Sequence, residues 1–287
     1  MMVSARVGMP AFKLMAGAIA ALAWVSAAFL LAPGLRAFPA SPLVHAPVER
    51  RISAPEARQG VASDGEAIYA VDNSTIGKYA IADGRRLVRF EGDPERFAHL
   101  NSCTIVERQL VCAASNYPDT PHRGTVEFFA PETLAHLRSV PLPENPGSLT
   151  VLTRHGGKWW AIFANYDSRG GVPGQDHRAT LLAELDEDFR ILRRFTFPQS
   201  VLGRIAPRSI SGASWGRDGK LYVSGHDKPE IYVLELPRQG KVLCHIGSFD
   251  IASFGQAIDF DPLDNGLLWS IDRETRTAIA SRVPPLG

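Results

Sequence analysis

The chain has 287 residues, of which 45% are hydrophobic and 21% are charged, and its formal net charge is +1 at pH 7. This composition is ordinary for a globular protein, and it lacks the basic excess that marks nucleic-acid binders. Residues 1–37 contain three basic side chains and no acid, which leaves 28 basic and 30 acidic side chains in the remainder. We therefore expect a small polar molecule or an envelope protein as the partner, and we expect the molecule to be a monomer.

A hydrophobic segment near the N-terminus predicts export. Arg6 and Lys13 precede an uncharged run of 19 residues, Leu14–Ala32, which small residues follow. This order is typical of a secretory signal. The run also approaches the ~20 residues that span a bilayer. Residues 1–37 are therefore interpreted as a hydrophobic helix that is either a cleaved signal peptide or a retained membrane anchor; a buried core helix is disfavoured because the run has almost no polar face. Both readings predict a periplasmic or extracellular protein that contacts the membrane only through this segment.

Repeated short apolar segments predict an all-β fold. After a Pro-rich linker, the segments alternate in polarity and are broken by Gly, Asp, Asn and Pro. They group into units of roughly 45 residues, the spacing of propeller blades. Each unit starts with a small or polar innermost strand and continues with an apolar second strand. The second strands are predicted at 67–73, 110–116, 159–167, 221–227 and 267–273. The pattern predicts a five-bladed β-propeller of four-stranded antiparallel blades over residues 56–287, with a β-sandwich as the alternative.

The innermost strands are predicted from their small and polar residues. They are placed at 59–62, 100–103, 147–150, 211–214 and 255–258. All five units contain a third strand, but only four contain a fourth. Residues 48–55 (VERRISAP), within the segment 38–55, could supply the missing strand. An N-terminal strand would then close the last blade and leave the ring without a free edge.

Two of the three cysteines, Cys103 and Cys112, flank the octapeptide TIVERQLV. If a hairpin turns at Glu107–Arg108, Cys103 lies directly opposite Cys112. Facing Cα atoms are ~4.5–5.5 Å apart, which is within the range of a disulfide. A turn shifted by one residue would instead place two unpaired thiols on opposite faces. Cys244 is interpreted as a core residue of a later strand, and no CxxC spacing is present.

The propeller pattern predicts one functional face. Each innermost strand begins at the face where the second strand ends, so both sets of residues gather around one mouth of the central channel. The loops 117–124, 166–178 and 197–208 are predicted at the same face, and long loops on a rigid scaffold commonly carry function. Turn propensity explains part of the Asp and Asn content there. The candidate ligand-binding residues are Gln59, Asn101, Asn116, Ser148, Asn165, Asp167, Ser211, Gln256 and Asp272.

Three kinds of chemistry fit this face. Asp and Asn oxygens could hold Ca²⁺ or another divalent cation, with His226 as a rarer ligand. His226 beside Asp227 could instead act as a general base whose imidazole is oriented by the carboxylate, although such a pair at a strand end is more often structural. Arg273, with Arg204 or Arg208, could clamp a substrate carboxylate. His226, Asp227 and Arg273 are therefore the candidate catalytic residues, and no metal ligand set is assigned.

Several segments resemble known propellers. Residues 59–69 contain Gln-Gly-x-x-x-Asp-Gly-x-x-Ile-Tyr, which is similar to the first-blade motif of glutaminyl cyclotransferases, and the overall organisation resembles the secreted lactonase (SMP-30) propellers. Residues 116–118, 225–234 and 255–261 are more similar to a bacterial propeller group labelled cycloisomerase. The resemblance implies an activity on small polar molecules. It departs at Ala70, where the cyclotransferase motif has an acidic residue, and the metal-binding Glu of the lactonases has no evident counterpart.

Three functions therefore compete. The first is a lactonase-, cyclase- or isomerase-like enzyme that uses the candidate catalytic residues. The second is a non-catalytic envelope module that binds a sugar, a peptide or a protein partner at the same face. The third is a structural scaffold of an envelope complex. Each predicts a different response to ligand: turnover, stabilisation without turnover, or neither.

Overall fold

The computed structural model describes residues 43–264 and 266–285. These residues form an all-β, five-bladed propeller of four-stranded antiparallel blades, which confirms the predicted fold class. The predicted hydrophobic segment 1–37 lies outside the described residues. Within the described part of the chain, no helix is both long enough and apolar enough to cross a membrane.

The blades follow one another along the chain, each from its innermost strand outward. Blade 1 contains β3 (Gly60–Ser63), β4 (Ala67–Val71), β5 (Thr75–Ala80) and β6 (Arg86–Glu91). Blade 2 contains β7 (Leu100–Val106), β8 (Gln109–Ser115), β9 (Gly124–Phe129) and β10 (His136–Pro141). Blade 3 contains β11 (Ser148–His155), β12 (Lys158–Ala164), β13 (Leu181–Leu185) and β14 (Ile191–Thr196). A 3-10 helix (His177–Ala179) lies between β12 and β13, and helix α1 (Gln199–Ile205) follows blade 3.

The last two blades each take a strand from the start of the described chain. Blade 4 contains β15 (Gly212–Trp215), β16 (Leu221–Ser224), β17 (Glu230–Glu235) and β18 (Cys244–Asp250), with β1 (Val44–His45) added in parallel at its outer edge. Blade 5 contains β19 (Asp259–Phe260), β20 (Leu267–Asp272) and β21 (Thr277–Arg282), and β2 (Val48–Ser53) is its outer strand. The predicted closing strand is therefore confirmed. The parallel strand β1 was not foreseen, because a two-residue strand carries no periodic signal.

The innermost strand of blade 5 begins later than predicted. The sequence placed it at residues 255–258, whereas β19 is Asp259–Phe260. Gly255 and Gln256 have φ values of 64° and 71°. Both lie in the left-handed region, which extended strands do not use. The predicted strand is therefore a turn that leads into a shorter strand.

The innermost strands form a closed and narrow ring. Contacts run from β3 through β7, β11 and β15 to β19, and β19 returns to β3. The close approach depends on glycine at two positions. A Cβ on Gly60 would lie 2.6 Å from the Cβ of Ala257, and a Cβ on Gly212 would lie 2.4 Å from the carbonyl oxygen of Gln256. The small residues of the innermost strands are therefore explained by the space available around the channel.

Five buried hydrophobic clusters hold the ring together, one at each seam between neighbouring blades. At the seam between blades 3 and 4, Trp160 and Trp215 pack with ring centroids 5.1 Å apart. At the seam between blades 5 and 1, Trp269 is fully buried. Each large side chain buried in this way contributes roughly 1.5–3 kcal/mol, so apolar packing between blades is the main stabilising term of the fold.

The predicted hairpin of blade 2 carries a disulfide. Cys103 pairs directly with Cys112 across β7 and β8, their Cα atoms are 4.0 Å apart, and the bond is formed. Glu107 and Arg108 form the turn with φ values of 49° and 63°. This confirms the predicted register. Cys244, in contrast, is exposed on the outer strand β18; its interpretation as a core residue was wrong, because an outer strand alternates between a buried and a solvent-facing side.

Removal of the Cys103–Cys112 disulfide is expected to lower the free energy of unfolding. In the chain-entropy model, a loop of this size contributes roughly 2–3 kcal/mol. We expect the double variant C103A/C112A to lose about that much free energy of unfolding in urea denaturation. The matched control is C244A, which removes the exposed thiol and should leave the unfolding midpoint unchanged. Equal midpoints for the wild type and the double variant would contradict the expectation.

Candidate functional site

A small cavity of about 110 Å³ lies at the predicted mouth of the channel. Residues that precede or begin the innermost strands form its inner wall: Gln59, His99, Asn101, Thr150, Ser211 and Gln256. Side chains from the loops at the same face form its outer wall: Tyr117, Tyr166, Arg208, His226 and Arg273. All five blades therefore contribute to one cavity, as expected from the direction in which the strands run.

His226 and Arg273 come together from neighbouring blades. His226 follows β16, and its Nδ1 lies 2.5 Å from Oδ1 of Asp227. At the other nitrogen of the imidazole, Arg273 Nη1 donates to His226 Nε2 at 2.9 Å. Since a guanidinium only donates, Nε2 is the acceptor and Nδ1 carries the hydrogen that Asp227 accepts. The carboxylate therefore orients a neutral imidazole, and Arg273 covers its lone pair.

Burial favours the neutral form of His226. Removal from solvent lowers the pKa of the imidazole and outweighs the hydrogen bond that His226 donates to Asp227, which raises this pKa; the positive charge of Arg273 lowers it further. Arg208 and Arg273 each lie 4.0 Å from a carboxylate oxygen of Asp227, which is itself half exposed. Two guanidinium groups therefore line the cavity, and the solvated carboxylate of Asp227 is the negative charge next to both of them.

The part of the cavity wall that blades 2 and 3 supply is aromatic and neutral. The rings of His99 and Tyr117 have centroids 5.2 Å apart, and Tyr117 lies 5.2 Å from Tyr166. The ring of Tyr117 also lies against Gly170, where a Cβ would come within 2.4 Å of it. Burial raises the pKa of Tyr166, so its hydroxyl stays protonated. The wall therefore presents flat apolar faces with neutral polar edges.

Several polar groups at the mouth also connect neighbouring blades. Asn101 Nδ2 donates to the carbonyl oxygen of Leu149 at 2.8 Å, and Thr150 Oγ1 donates to that of Ile210 at 3.0 Å. The carbonyl of Gln256 accepts a hydrogen bond from Ser224. These residues therefore shape the cavity through the ring contacts that they make, in addition to any contact with a ligand.

Six of the sequence-derived candidates line the cavity and six do not. Gln59, Asn101, Ser211, Gln256, His226 and Arg273 line it, and Asp227 contacts it through His226. The six that are not lining residues are Asp227, Asn116, Ser148, Asn165, Asp167 and Asp272. Arg208, named as an alternative clamp, is a lining residue, whereas Arg204 pairs with Glu230.

The candidates outside the cavity have structural roles that the turn propensity of Asp and Asn explains. Asp272 accepts hydrogen bonds from the backbone of Glu274 and Thr275 within the β20–β21 turn. Asn165 is fully buried and donates through Nδ2 to the backbone carbonyls of Pro146 and Ala179. Asn116 accepts a hydrogen bond from the backbone of Arg123 at 2.8 Å. Ser148 is buried at the start of β11.

Asp167 belongs to a separate group with Asp176 and His177, the described residues that approach one another as metal ligands would. His177 Nδ1 lies 2.7 Å from Asp167, and Arg178 pairs with Asp176. The carboxylates thus already have partners within the loop. The cavity at the mouth has no carboxylate among its lining residues, whereas Ca²⁺ prefers several carboxylate and carbonyl oxygens. The residues present do not fit the divalent cation that the sequence suggested.

His99, Thr150, Tyr117 and Tyr166 are the lining residues that the candidate set missed. Gln59, His99 and Ser211 occupy equivalent positions, because each directly precedes an innermost strand. The sequence favoured Asn101 in blade 2, which lies two residues after His99. A bulge between Leu100 and Cys103 shifts the register of β7 and concealed this equivalence. In blade 3 the corresponding residue is Gly147, which has no side chain to offer. The tyrosines follow Asn116 and Asn165, the residues that the sequence favoured.

Comparison with known proteins shows the fold alone. No protein-family model matches the chain, and no curated protein sequence matches it significantly. Among solved structures, a luciferin-regenerating enzyme aligns over 83% of this chain and 96% of its own with a TM-score of 0.50 and 12% identity. A streptogramin B lyase aligns over 82% and 96% with a TM-score of 0.46 and 10% identity. The PQQ-bound aldose sugar dehydrogenase of Streptomyces coelicolor aligns over 78% and 76% with a TM-score of 0.44 and 14% identity. All three matches are too distant to transfer a reaction or a substrate to this chain.

Proposed function

We propose that this chain is an exported propeller that binds a small polar carboxylate at the mouth of its channel. One observation carries the proposal: Arg208 and Arg273 face a cavity that has no carboxylate among its lining residues. Guanidinium groups bind carboxylates through paired, charge-assisted hydrogen bonds. The disulfide supports the proposed periplasmic or extracellular location, since such bonds persist in oxidising compartments.

The His226–Asp227 pair favours catalysis of the lactonase, cyclase or isomerase kind at this site. A substrate carboxylate would compete with His226 Nε2 for the guanidinium of Arg273. Once released, Nε2 is a neutral base held in one tautomer by Asp227, which is the arrangement that proton transfer requires. The alternative, a non-catalytic binding module, uses the same cavity without this transfer. Turnover of a panel of lactones and hydroxy acids supports the enzyme, whereas stabilisation by the same compounds without turnover supports the module.

Removal of the Arg273 guanidinium tests the proposal directly. A hydrogen bond to a charged group contributes about 1.5–3 kcal/mol, so R273Q should weaken the binding of small carboxylates such as propanoate by about 10- to 100-fold. NMR titration measures the change. The matched control is R169Q, which removes an exposed guanidinium from the loop between β12 and β13 without altering the cavity lining. Equal affinities for R273Q and R169Q would refute the carboxylate site.

A further inference from the structure

His99 lines the cavity, and only one of its two ring nitrogens has a hydrogen-bond partner among the described residues. Its Nδ1 lies 2.7 Å from Oδ1 of Asn73, and Gln59 Nε2 donates to the same oxygen at 2.9 Å. Because an amide oxygen only accepts, Nδ1 of His99 carries the hydrogen. The lone pair of the neutral ring is then on Nε2, for which no partner is found among the described residues. Asn73 is thus a positioning residue that selects one tautomer of His99.

The two histidines of the cavity therefore differ. Nε2 of His226 accepts from Arg273, whereas Nε2 of His99 is available to a ligand. Burial lowers the pKa of His99 to about 4, so the ring is neutral and acts as a hydrogen-bond acceptor at neutral pH. A ligand that satisfies this nitrogen must supply a donor, such as a hydroxyl or an amino group.

The order of the blades separates the acceptor from the cations. His99 precedes blade 2, whereas His226 and Arg273 belong to blades 4 and 5. In a ring of five, blade 2 lies across the channel from the seam between blades 4 and 5. A ligand that reaches both sides needs its anion and its donor at opposite ends. A cavity of about 110 Å³ has room for about four waters. The part of the ligand that the cavity encloses therefore has only a few non-hydrogen atoms.

We infer that the ligand is a small hydroxy acid whose carboxylate binds Arg208 and Arg273 and whose hydroxyl donates to His99 Nε2. A hydroxyl is favoured over an ammonium because two guanidinium groups line the cavity and no carboxylate does. The tyrosines between the two ends supply an apolar surface for the carbon chain. This inference rests on the proposed carboxylate site and adds the second functional group of its ligand.

Three probes of similar size test the inference in the full-length wild-type protein: 3-hydroxypropanoate, propanoate and β-alanine. The first two share the carboxylate and differ in one hydroxyl at the far end of the chain, and β-alanine carries an ammonium in place of that hydroxyl. A neutral hydrogen bond contributes about 0.5–1.5 kcal/mol net. We therefore expect 3-hydroxypropanoate to bind about 3- to 10-fold more tightly than propanoate, and β-alanine to bind more weakly than 3-hydroxypropanoate. Equal binding of 3-hydroxypropanoate and propanoate, or preference for β-alanine, would overturn the inference and leave the carboxylate site standing. Binding of none of the three would reject the carboxylate site itself.

Two substitutions assign the effect to His99. H99N keeps an amide donor near the position of Nδ1, which can still reach Asn73, and removes Nε2. It should bring the ratio of 3-hydroxypropanoate to propanoate affinity close to one. H99Q places an amide oxygen near the position of Nε2 and should restore part of the ratio. A ratio that persists in a folded H99N protein would overturn the assignment. If H99N does not fold, the three probes on the wild type still decide the ligand class.

Discussion

Ile52→Ala is expected to lower the free energy of unfolding by about 2–5 kcal/mol, the range found when a large buried aliphatic side chain is truncated. Ile52 is 4% exposed on β2 and belongs to the cluster that joins blades 5 and 1, together with Tyr79 and Trp269. Its strand, β2, comes from the N-terminal side of the described chain and pairs with β21 as the outer strand of blade 5. Loss of this side chain weakens the packing of the closing strand at the seam between blades 5 and 1.

Urea denaturation measures the effect, and R51A is the matched control. Arg51 is the preceding residue of the same strand and is exposed, so its truncation should change stability by less than about 0.5 kcal/mol. Similar losses for I52A and R51A would show that β2 is held by its backbone hydrogen bonds alone. They would contradict the role assigned to packing at the closing seam.

Asp259→Asn is expected to stabilise the protein above pH 7 and to have little effect near pH 4. Asp259 lies on the innermost strand of blade 5 and is almost fully buried, and it accepts hydrogen bonds from Ser63 N at 3.2 Å and from Ser214 Oγ at 3.0 Å. Burial is the main cause that raises its pKa to about 7. The amide oxygen of an asparagine can accept from Ser63 N, and its NH2 group can donate to Ser214 Oγ, so the substitution keeps a neutral, hydrogen-bonded group at every pH.

The direction of the pH dependence follows from linkage between protonation and folding. The unfolded carboxyl has a pKa near 3.9, so below pH 4 the group is protonated in both states and carries no penalty. As the pH rises from about 4 to about 7, the unfolded state ionises first, and stability that was present at low pH is lost. The pKa difference corresponds to a loss on the order of 4 kcal/mol as an upper bound.

Thermal unfolding midpoints at pH 4 and pH 8 measure this difference. Asp261, the neighbouring carboxylate, accepts hydrogen bonds from Ser63 Oγ and Trp269 Nε1 at 3.0 Å and contributes a repulsion that raises the pKa of Asp259 further. D83N, at an exposed turn, is the matched control for other titrating groups. A gain for D259N over wild type that is the same at both pH values would contradict the expectation.

Much of the fold was predictable because its signals are local. The alternation of short apolar segments and the spacing of units both arise from one strand at a time, so the blades, the closing strand 48–53 and the register of the Cys103–Cys112 hairpin followed from the sequence. The exceptions are also local in origin. Gly255 and Gln256 have left-handed backbone conformations. The residue types alone do not predict these conformations, because small and polar residues also occur in the other innermost strands. The exposed position of Cys244 depends on which side of an outer strand it occupies.

The candidate site was only partly predictable because its members act across the channel. The sequence by itself determined which ends of the strands would meet, and it placed His226 and Arg273 among the candidates. Only the tertiary structure decided that Arg273 covers the lone pair of His226 while that of His99 stays open. These states depend on distances between side chains from different blades, which no local pattern encodes. The same long-range packing gives the cavity its two guanidinium groups without a lining carboxylate, and this arrangement favours the carboxylate clamp among the three chemistries that the sequence left open.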